Sequence, residues 1–127
     1  MRVVISNNAG IPIYEQIKEQ IKTAILSGEL KGDDLLPSVR QLARDLKISV
    51  ITTMRAYADL EQEGFVVNVH GKGCYVQPQN SELIREQMLR EVEAGLTAAI
   101  SAARIAKLPK SELIDILHLL TREEGYE

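Results

Sequence analysis

The chain has 127 residues, of which 45% are hydrophobic and 26% are charged, and its net charge is −3. These values are ordinary for a globular domain, and the apolar runs fall far short of the roughly 20 residues needed to cross a bilayer. The first residues lack a long apolar stretch and Cys74 is the single cysteine, so we expect a cytoplasmic protein without a signal peptide or an internal disulfide.

The acidic excess lies in the C-terminal part of the chain. Residues 1–77 carry nine basic and nine acidic side chains, whereas residues 78–127 carry six basic and nine acidic ones. A neutral N-terminal part can still present one basic face, because nucleic-acid binding depends on how the charge is distributed. The net charge therefore does not exclude nucleic acid as a partner.

The first elements are a short predicted strand over Val3 to Ser6 and a helix that opens at Pro12 and stops at Gly28. The apolar stripe of this helix follows helical spacing and comprises Ile13, Ile17, Ile21, Ala24 and Ile25. The loop "KGDDLLPS" then leads to a second helix after Pro37, with Ser38 as its N-cap or next to it. Its predicted buried stripe comprises Val39, Leu42, Ala43 and Leu46.

A third helix follows the tight connection "LKIS". Ser49 can cap it, it runs to about Glu63, and Gly64 ends it. The β-rich runs "FVVNVH" and "CYVQ" flank "GKG" and predict a hairpin. The order helix, helix, turn, helix, hairpin is that of a winged helix-turn-helix, which we assign to residues 1–77.

Residues 78–127 are predicted to form a helical tail, so the fold class is mostly α with a small β-hairpin wing. A long helix spans about Ser81 to Lys107, Pro109 breaks the chain, and a final helix follows. The long helix carries an a/d-like seam of Leu89, Val92, Leu96, Ala99, Ala103 and Ala106. The apolar residues of the final helix are Leu113, Ile114, Leu117 and Leu120.

The third helix contains two competing apolar stripes. One comprises Val50, Ile51, Met54, Tyr57 and Ala58, and the other comprises Thr53, Ala56, Tyr57 and Leu60. At about 100° per residue, Ile51 and Arg55 lie opposite Thr53. The first stripe ends at Glu61, where a core residue would be needed, so we predict that the second stripe is buried. Ile51 is then exposed, and Val50 and Met54 lie at or near the same outward face.

Residues 11 to 77 closely resemble the GntR family of bacterial transcription regulators. The segments that carry the resemblance are "SGEL", "LPSVRQLA", "LEQEG" and the "GKG" wing, which occur in family order and spacing. The short tail, with "ELIREQMLREVE" and "SELIDILHLL", resembles the YtrA subfamily. The resemblance implies a small dimeric repressor, often associated with operons for ABC transporters, that binds a palindromic double-stranded operator.

In a helix-turn-helix the third helix enters the major groove, the second crosses the backbone, and the wing can approach the minor groove. The resulting candidate DNA-binding residues are Ser38, Arg40, Ser49, Val50, Ile51, Thr52, Met54, Arg55, His70, Gly71 and Lys72. Arg40 and the wing positions are assigned by the family match. Ser49 and Thr52 are candidates for holding a phosphate at a helix start, although Ser49 can also be a simple N-cap. The alternative interpretation is that Arg40 is a solvated surface residue and that "GKG" is an ordinary turn.

The sequence departs from the family where base contacts are expected. Many family members carry arginines that read guanine at the positions of Val50 and Met54. That role cannot be carried over, but aliphatic groups can contact the thymine methyl group. We therefore hypothesise an A·T-leaning contact under Val50 and Ile51.

The tail seam predicts a homodimer, with packing on the final helix of the same chain as the alternative. The candidate dimerisation residues are Leu89, Val92, Leu96, Ala99, Ala103, Leu117 and Leu120. Two helices leave little room for a cavity of a few hundred Å³, so we expect no dedicated buried effector pocket within one tail. A site at the dimer interface stays an alternative, and the sequence leaves open whether there is a small-molecule effector.

Two other classes of function fit the sequence less well. A winged-helix module that binds proteins instead of DNA would use the apolar outward face as a partner surface. An enzyme is disfavoured, because His70, His118 and Cys74 match no metal-ligand spacing and no nucleophile–base arrangement or phosphate loop is visible. We expect no cofactor, no metal and no membrane association.

Overall fold

A computed structural model describes residues 1–8 and 10–126, which form five helices and one two-stranded sheet. The helices are α1 (Ile13–Leu26), α2 (Val39–Leu46), α3 (Val50–Gln62), α4 (Ser81–Ile105) and α5 (Lys110–Glu123). The strands are β1 (Val66–Val69) and β2 (Gly73–Val76). The chain divides into two compact units, Met1–Asn80 and Ser81–Glu127.

The core of the first unit lies between α1 and α3. Ile17 and Ile21 of α1 and Leu60 of α3 are fully buried, and so are Val66 and Val76 of the hairpin. These side chains occur at helical spacing in the helices and on facing strand positions in the sheet. The orientation of α3 is therefore fixed by which of its side chains fit against α1.

Local sequence sets the ends of the three helices of this unit. Pro12 precedes the first residue of α1, and Gly28 follows that helix with a φ of +86°. Ser38 and Ser49 cap α2 and α3 by accepting the amide hydrogens of Gln41 and Thr52, each at 3.1 Å. The predicted helix starts and caps are therefore confirmed.

The hairpin is antiparallel and is braced by the loop that precedes α2. The amides of Asp33 and Leu36 donate to carbonyls of β2 at 2.8 and 2.9 Å. Leu35 lies so close to Gly73 that a Cβ added there would be 2.9 Å from its Cδ1, and Gly73 has a φ of +128°. The glycine is needed here for its backbone conformation, because a φ of +128° is strained for any residue with a side chain, whereas the exposed Leu35 side chain could move aside.

The predicted strand over Val3 to Ser6 is wrong, because this segment pairs with no strand among the residues that the structure describes. Two glutamine side chains of α1 take the place of a partner. Gln20 binds both the amide and the carbonyl of Val4, and Gln16 binds those of Ser6, at 2.6–2.9 Å. The backbone groups are thus satisfied without a sheet.

The second unit consists of α4, α5 and their connection. Lys107 adopts a left-handed conformation after α4, and Pro109 caps α5, as the break in the sequence pattern predicts. Within the described residues 81–126, Ala103 alone is buried. None of the helices in the described ranges is both long and apolar enough to span a membrane.

Tyr57 links α3 to the start of α2 and provides a test of this packing. The Tyr57 side chain is buried, and its hydroxyl group donates to the Pro37 carbonyl at 2.7 Å. Tyr57→Phe leaves that carbonyl unpaired, so we expect the free energy of unfolding to fall by about 1–2 kcal/mol in urea titrations. Tyr126→Phe, at an exposed tyrosine of the tail, is the matched control and should be neutral. Equal midpoints for the Tyr57 variant and the wild type would contradict the assignment.

Candidate nucleic-acid interface

Helix α3 buries one face and exposes the opposite one. Its buried residues are Thr53, Ala56, Tyr57 and Leu60. Ile51 is 79% exposed, Met54 55% and Val50 37%, so the predicted phase of the helix is confirmed. The hydroxyl of Thr53 donates to the Ser49 carbonyl at 3.2 Å, which explains how a polar side chain is tolerated inside.

The start of α3 is arranged around two hydroxyl groups. Besides capping the Thr52 amide, the Ser49 hydroxyl donates to the Thr52 hydroxyl oxygen at 2.8 Å. The Ser49 proton is thus engaged, whereas the Thr52 hydroxyl keeps a hydrogen to donate outward. Ser49 is therefore the N-cap of α3, and its hydroxyl has no hydrogen left for a phosphate in this arrangement. A phosphate held by Thr52 at this helix start stays a prediction.

On α2, Arg40 is exposed and forms no ion pair with any described residue. Ser38 lies two residues earlier, at the helix cap, and is also exposed. Both side chains are therefore accessible to an anion. Their contact with DNA stays a prediction.

The wing tip comprises His70, Gly71 and Lys72, all exposed. The amide of Lys72 donates to the Val69 carbonyl at 2.9 Å, and Gly71 has a φ of +75°. This tight turn places the ammonium group of Lys72 and the backbone of Gly71, which has no side chain, at the end of the hairpin. The predicted role at a minor groove stays a prediction.

Glu61, near the end of α3, accepts hydrogen bonds from the wing, a contact that the sequence does not reveal. Its carboxylate accepts the backbone amide of Asn68 at 2.8 Å and the side-chain amide of the same residue at 3.3 Å. It also lies near Cys74, where burial, with a smaller effect of this negative charge, raises the pKa of the thiol to about 11. Spacing along the chain gives no sign of such a contact between a helix and a strand.

Arg55 makes a second contact that the sequence did not reveal. Its guanidinium carbon lies 3.7 Å from the centroid of the Tyr14 ring, and its Nη2 donates to the Tyr14 hydroxyl at 3.1 Å. Tyr14 belongs to the first turn of α1. The single cation of α3 is therefore held by an aromatic side chain of another helix.

In the tail, most of the candidate dimerisation residues are exposed to solvent. Leu89, Val92, Leu96, Leu117 and Leu120 are all exposed, whereas Ala103 is buried. The expectation of little room for a cavity was wrong, because α4 and α5 flank an open apolar cleft of about 680 Å³. Ala99 and Ala103 line it, and their short side chains leave the space unfilled.

The three-helix core with its braced hairpin defines a winged helix-turn-helix protein. Residues 13–76 match the family of bacterial regulatory proteins described as the gntR family. The chain belongs to this family. It is 32% identical over 111 residues to the HTH-type transcriptional repressor YtrA of Bacillus subtilis (strain 168), across 87% of this chain and 85% of YtrA. The family and this relative are transcriptional regulators and not enzymes, as the sequence predicted.

Solved structures agree with this membership. A GntR family transcriptional regulator from Listeria monocytogenes superposes with a TM-score of 0.71 at 29% identity, covering 87% of this chain and 96% of that one. AraR(DBD), solved in complex with operator ORX1, superposes with a TM-score of 0.53 at 28% identity, covering 60% of this chain and 95% of that one. The likeness to the Listeria regulator includes the tail, whereas AraR(DBD) matches a shorter part of the chain.

The link between α3 and the wing yields a prediction. Glu61→Ala removes the acceptor of the Asn68 amide, so we expect hydrogen exchange at this amide to accelerate roughly tenfold or more. The measurement is amide exchange followed by NMR. Gln62→Ala, on the neighbouring exposed residue of the same helix, is the control and should leave the rate unchanged. An unchanged rate in the Glu61 variant would exclude this link.

Proposed function

We propose that this protein is a homodimeric repressor that binds a palindromic operator through α3 in the major groove and through the wing at the minor groove. The observation that carries the proposal is the outward face of α3. It presents Ile51, Met54 and Arg55 to solvent on a helix that packs firmly on its other side. An exposed apolar face with one cation is costly in water unless a partner covers it.

Duplex DNA suits this face chemically. The thymine methyl group gives Val50 and Ile51 an apolar surface in the major groove, while Arg55 and the Thr52 hydroxyl face phosphates. Arg40 and Lys72 add cations on the two flanking elements, as the family match implies. AraR(DBD), a structural relative of the winged unit, was solved on operator DNA, which supports the same use here.

The tail supplies the proposed means of dimerisation. Residues 81–126 bury almost none of their apolar side chains within one chain, and the cleft between α4 and α5 is lined mainly by leucine, isoleucine and alanine. A second copy of this tail offers the same apolar face, so two copies can cover each other symmetrically. We propose that this cleft is filled by the partner tail, and that the dimer reads two half-sites roughly 34 Å apart.

The similarity to YtrA along both the winged unit and the tail supports a repressor role. Regulation of a transporter-type operon is what the family resemblance implies for this chain. Deletion of the gene should then raise transcription of neighbouring transporter genes, and unchanged transcript levels would remove this part of the proposal.

Arg40 provides the test of DNA binding. Arg40→Ala should weaken binding to all duplexes about equally and lower the slope of log affinity against log salt by about one, since a phosphate contact is lost. Fluorescence anisotropy at several salt concentrations measures both quantities. Arg90→Ala, at an exposed arginine of the tail, is the control. Wild-type protein without salt-dependent DNA binding would instead favour the protein-interaction module.

The dimer has its own test. Leu96→Asp or Leu117→Asp places a carboxylate in the cleft, so we expect monomers at micromolar concentration in sedimentation velocity, where the wild type is a dimer. Ile105→Asp adds the same charge at an exposed residue that does not line the cleft and should stay dimeric. A monomeric wild type would refute the dimer.

A further inference from the structure

We propose that Tyr14 is a positioning residue that fixes Arg55 in the orientation needed to bind a DNA backbone phosphate. The proposal rests on the proposed function and extends the DNA interface to α1, an element outside the helix-turn-helix pair and the wing. Its basis is the stack of the Arg55 guanidinium on the Tyr14 ring, with a carbon-to-centroid distance of 3.7 Å.

The stack leaves the donors of the guanidinium usable. The guanidinium carbon lies over the Tyr14 ring, so the ring covers one side of the group, and arginine has five N–H donors in all. One nitrogen donates to the Tyr14 hydroxyl at 3.1 Å, and the remaining N–H groups can still donate to an anion. Planar, paired donation is how arginine binds phosphate.

The charge of Arg55 is also left unneutralised. Lys18 engages three carboxylates of α1, of α3 and of the residue that follows α3. It lies 4.0 Å from Glu15, 4.0 Å from Asp59 and 2.8 Å from Glu63. The hydrogen bond from Lys18 holds the pKa of the Glu63 carboxyl below its ordinary value, so this lysine–glutamate pair is charged at neutral pH. Among the described residues, Arg55 forms an ion pair with no carboxylate, and its guanidinium contacts the neutral side chain of Tyr14.

A fixed arginine binds an anion better than a mobile one. A free arginine side chain loses rotamer entropy when it binds, and the stack removes part of that cost in advance. Arg55 lies one helical turn beyond Ile51 on the same outward face of α3. If Ile51 meets base edges, Arg55 lies further from the helix start, toward the phosphates that border the groove.

The test is a double-mutant cycle on full-length protein with a mixed-sequence duplex of about three helical turns, roughly 30 base pairs, as the probe. Arg55→Ala should weaken binding about tenfold and lower the salt slope by about one. Tyr14→Ala should weaken binding about twofold to fivefold, the range expected for a partly exposed cation–π contact. In the Arg55→Ala background, Tyr14→Ala should have no further effect.

Two controls separate positioning from folding, because Tyr14 also packs against the core. Tyr14→Phe keeps the ring and loses only the hydroxyl acceptor, so its affinity should fall between those of the wild type and Tyr14→Ala. Tyr126→Ala removes an exposed tail tyrosine and should not change binding. A purely structural role would weaken binding equally in both Arg55 backgrounds, and that result would overturn the proposal.

The outcome also separates this proposal from the proposed function. A wild type that does not bind the duplex would overturn both. A wild type that binds, together with an Arg55→Ala variant of equal affinity and salt slope, would overturn only the role of Arg55 and Tyr14.

Discussion

The fold depends on one packing constraint, the burial of α3 against α1. Ile17 and Ile21 of α1 and Leu60 of α3 are completely removed from solvent in a unit with few large side chains. Because a helix can turn only one face toward a neighbour, burying Leu60 forces Ile51 outward. The exposure of the apolar outer surface of α3 is therefore a consequence of core packing.

The same constraint links the other parts of the candidate interface to α3. Tyr57 connects the helix to the start of α2, Glu61 connects it to the wing, and Arg55 connects it to α1. Each contact is a hydrogen bond from or to a side chain whose direction is fixed by the buried face. The elements that would meet a duplex are thus held in one arrangement before binding, which lowers the ordering cost of association.

Much of the fold could be predicted from the sequence, because its signals are local. Ser38 and Ser49 mark helix starts, and Gly28 and Gly64 mark helix ends, through capping and positive φ that depend on neighbouring residues only. The Tyr14–Arg55 stack joins residues 41 positions apart and leaves no periodic pattern. The prediction for Val3 to Ser6 was wrong for a related reason, since its β-branched residues favour a strand while its hydrogen-bond partners are distant glutamines. The cleft in the tail was missed because the sequence gives helix faces but not the spacing between helices.

We propose that the outward face of α3, although largely apolar, reads base pairs. Selection of bound duplexes from a random pool, with wild-type protein and with Ile51→Asn, tests it most directly. We expect the wild type to enrich a two-fold symmetric motif with A·T pairs under Val50 and Ile51. We expect the variant to prefer different base pairs at those positions. Enrichment of G·C pairs there, or the same motif from both proteins, would contradict the proposal.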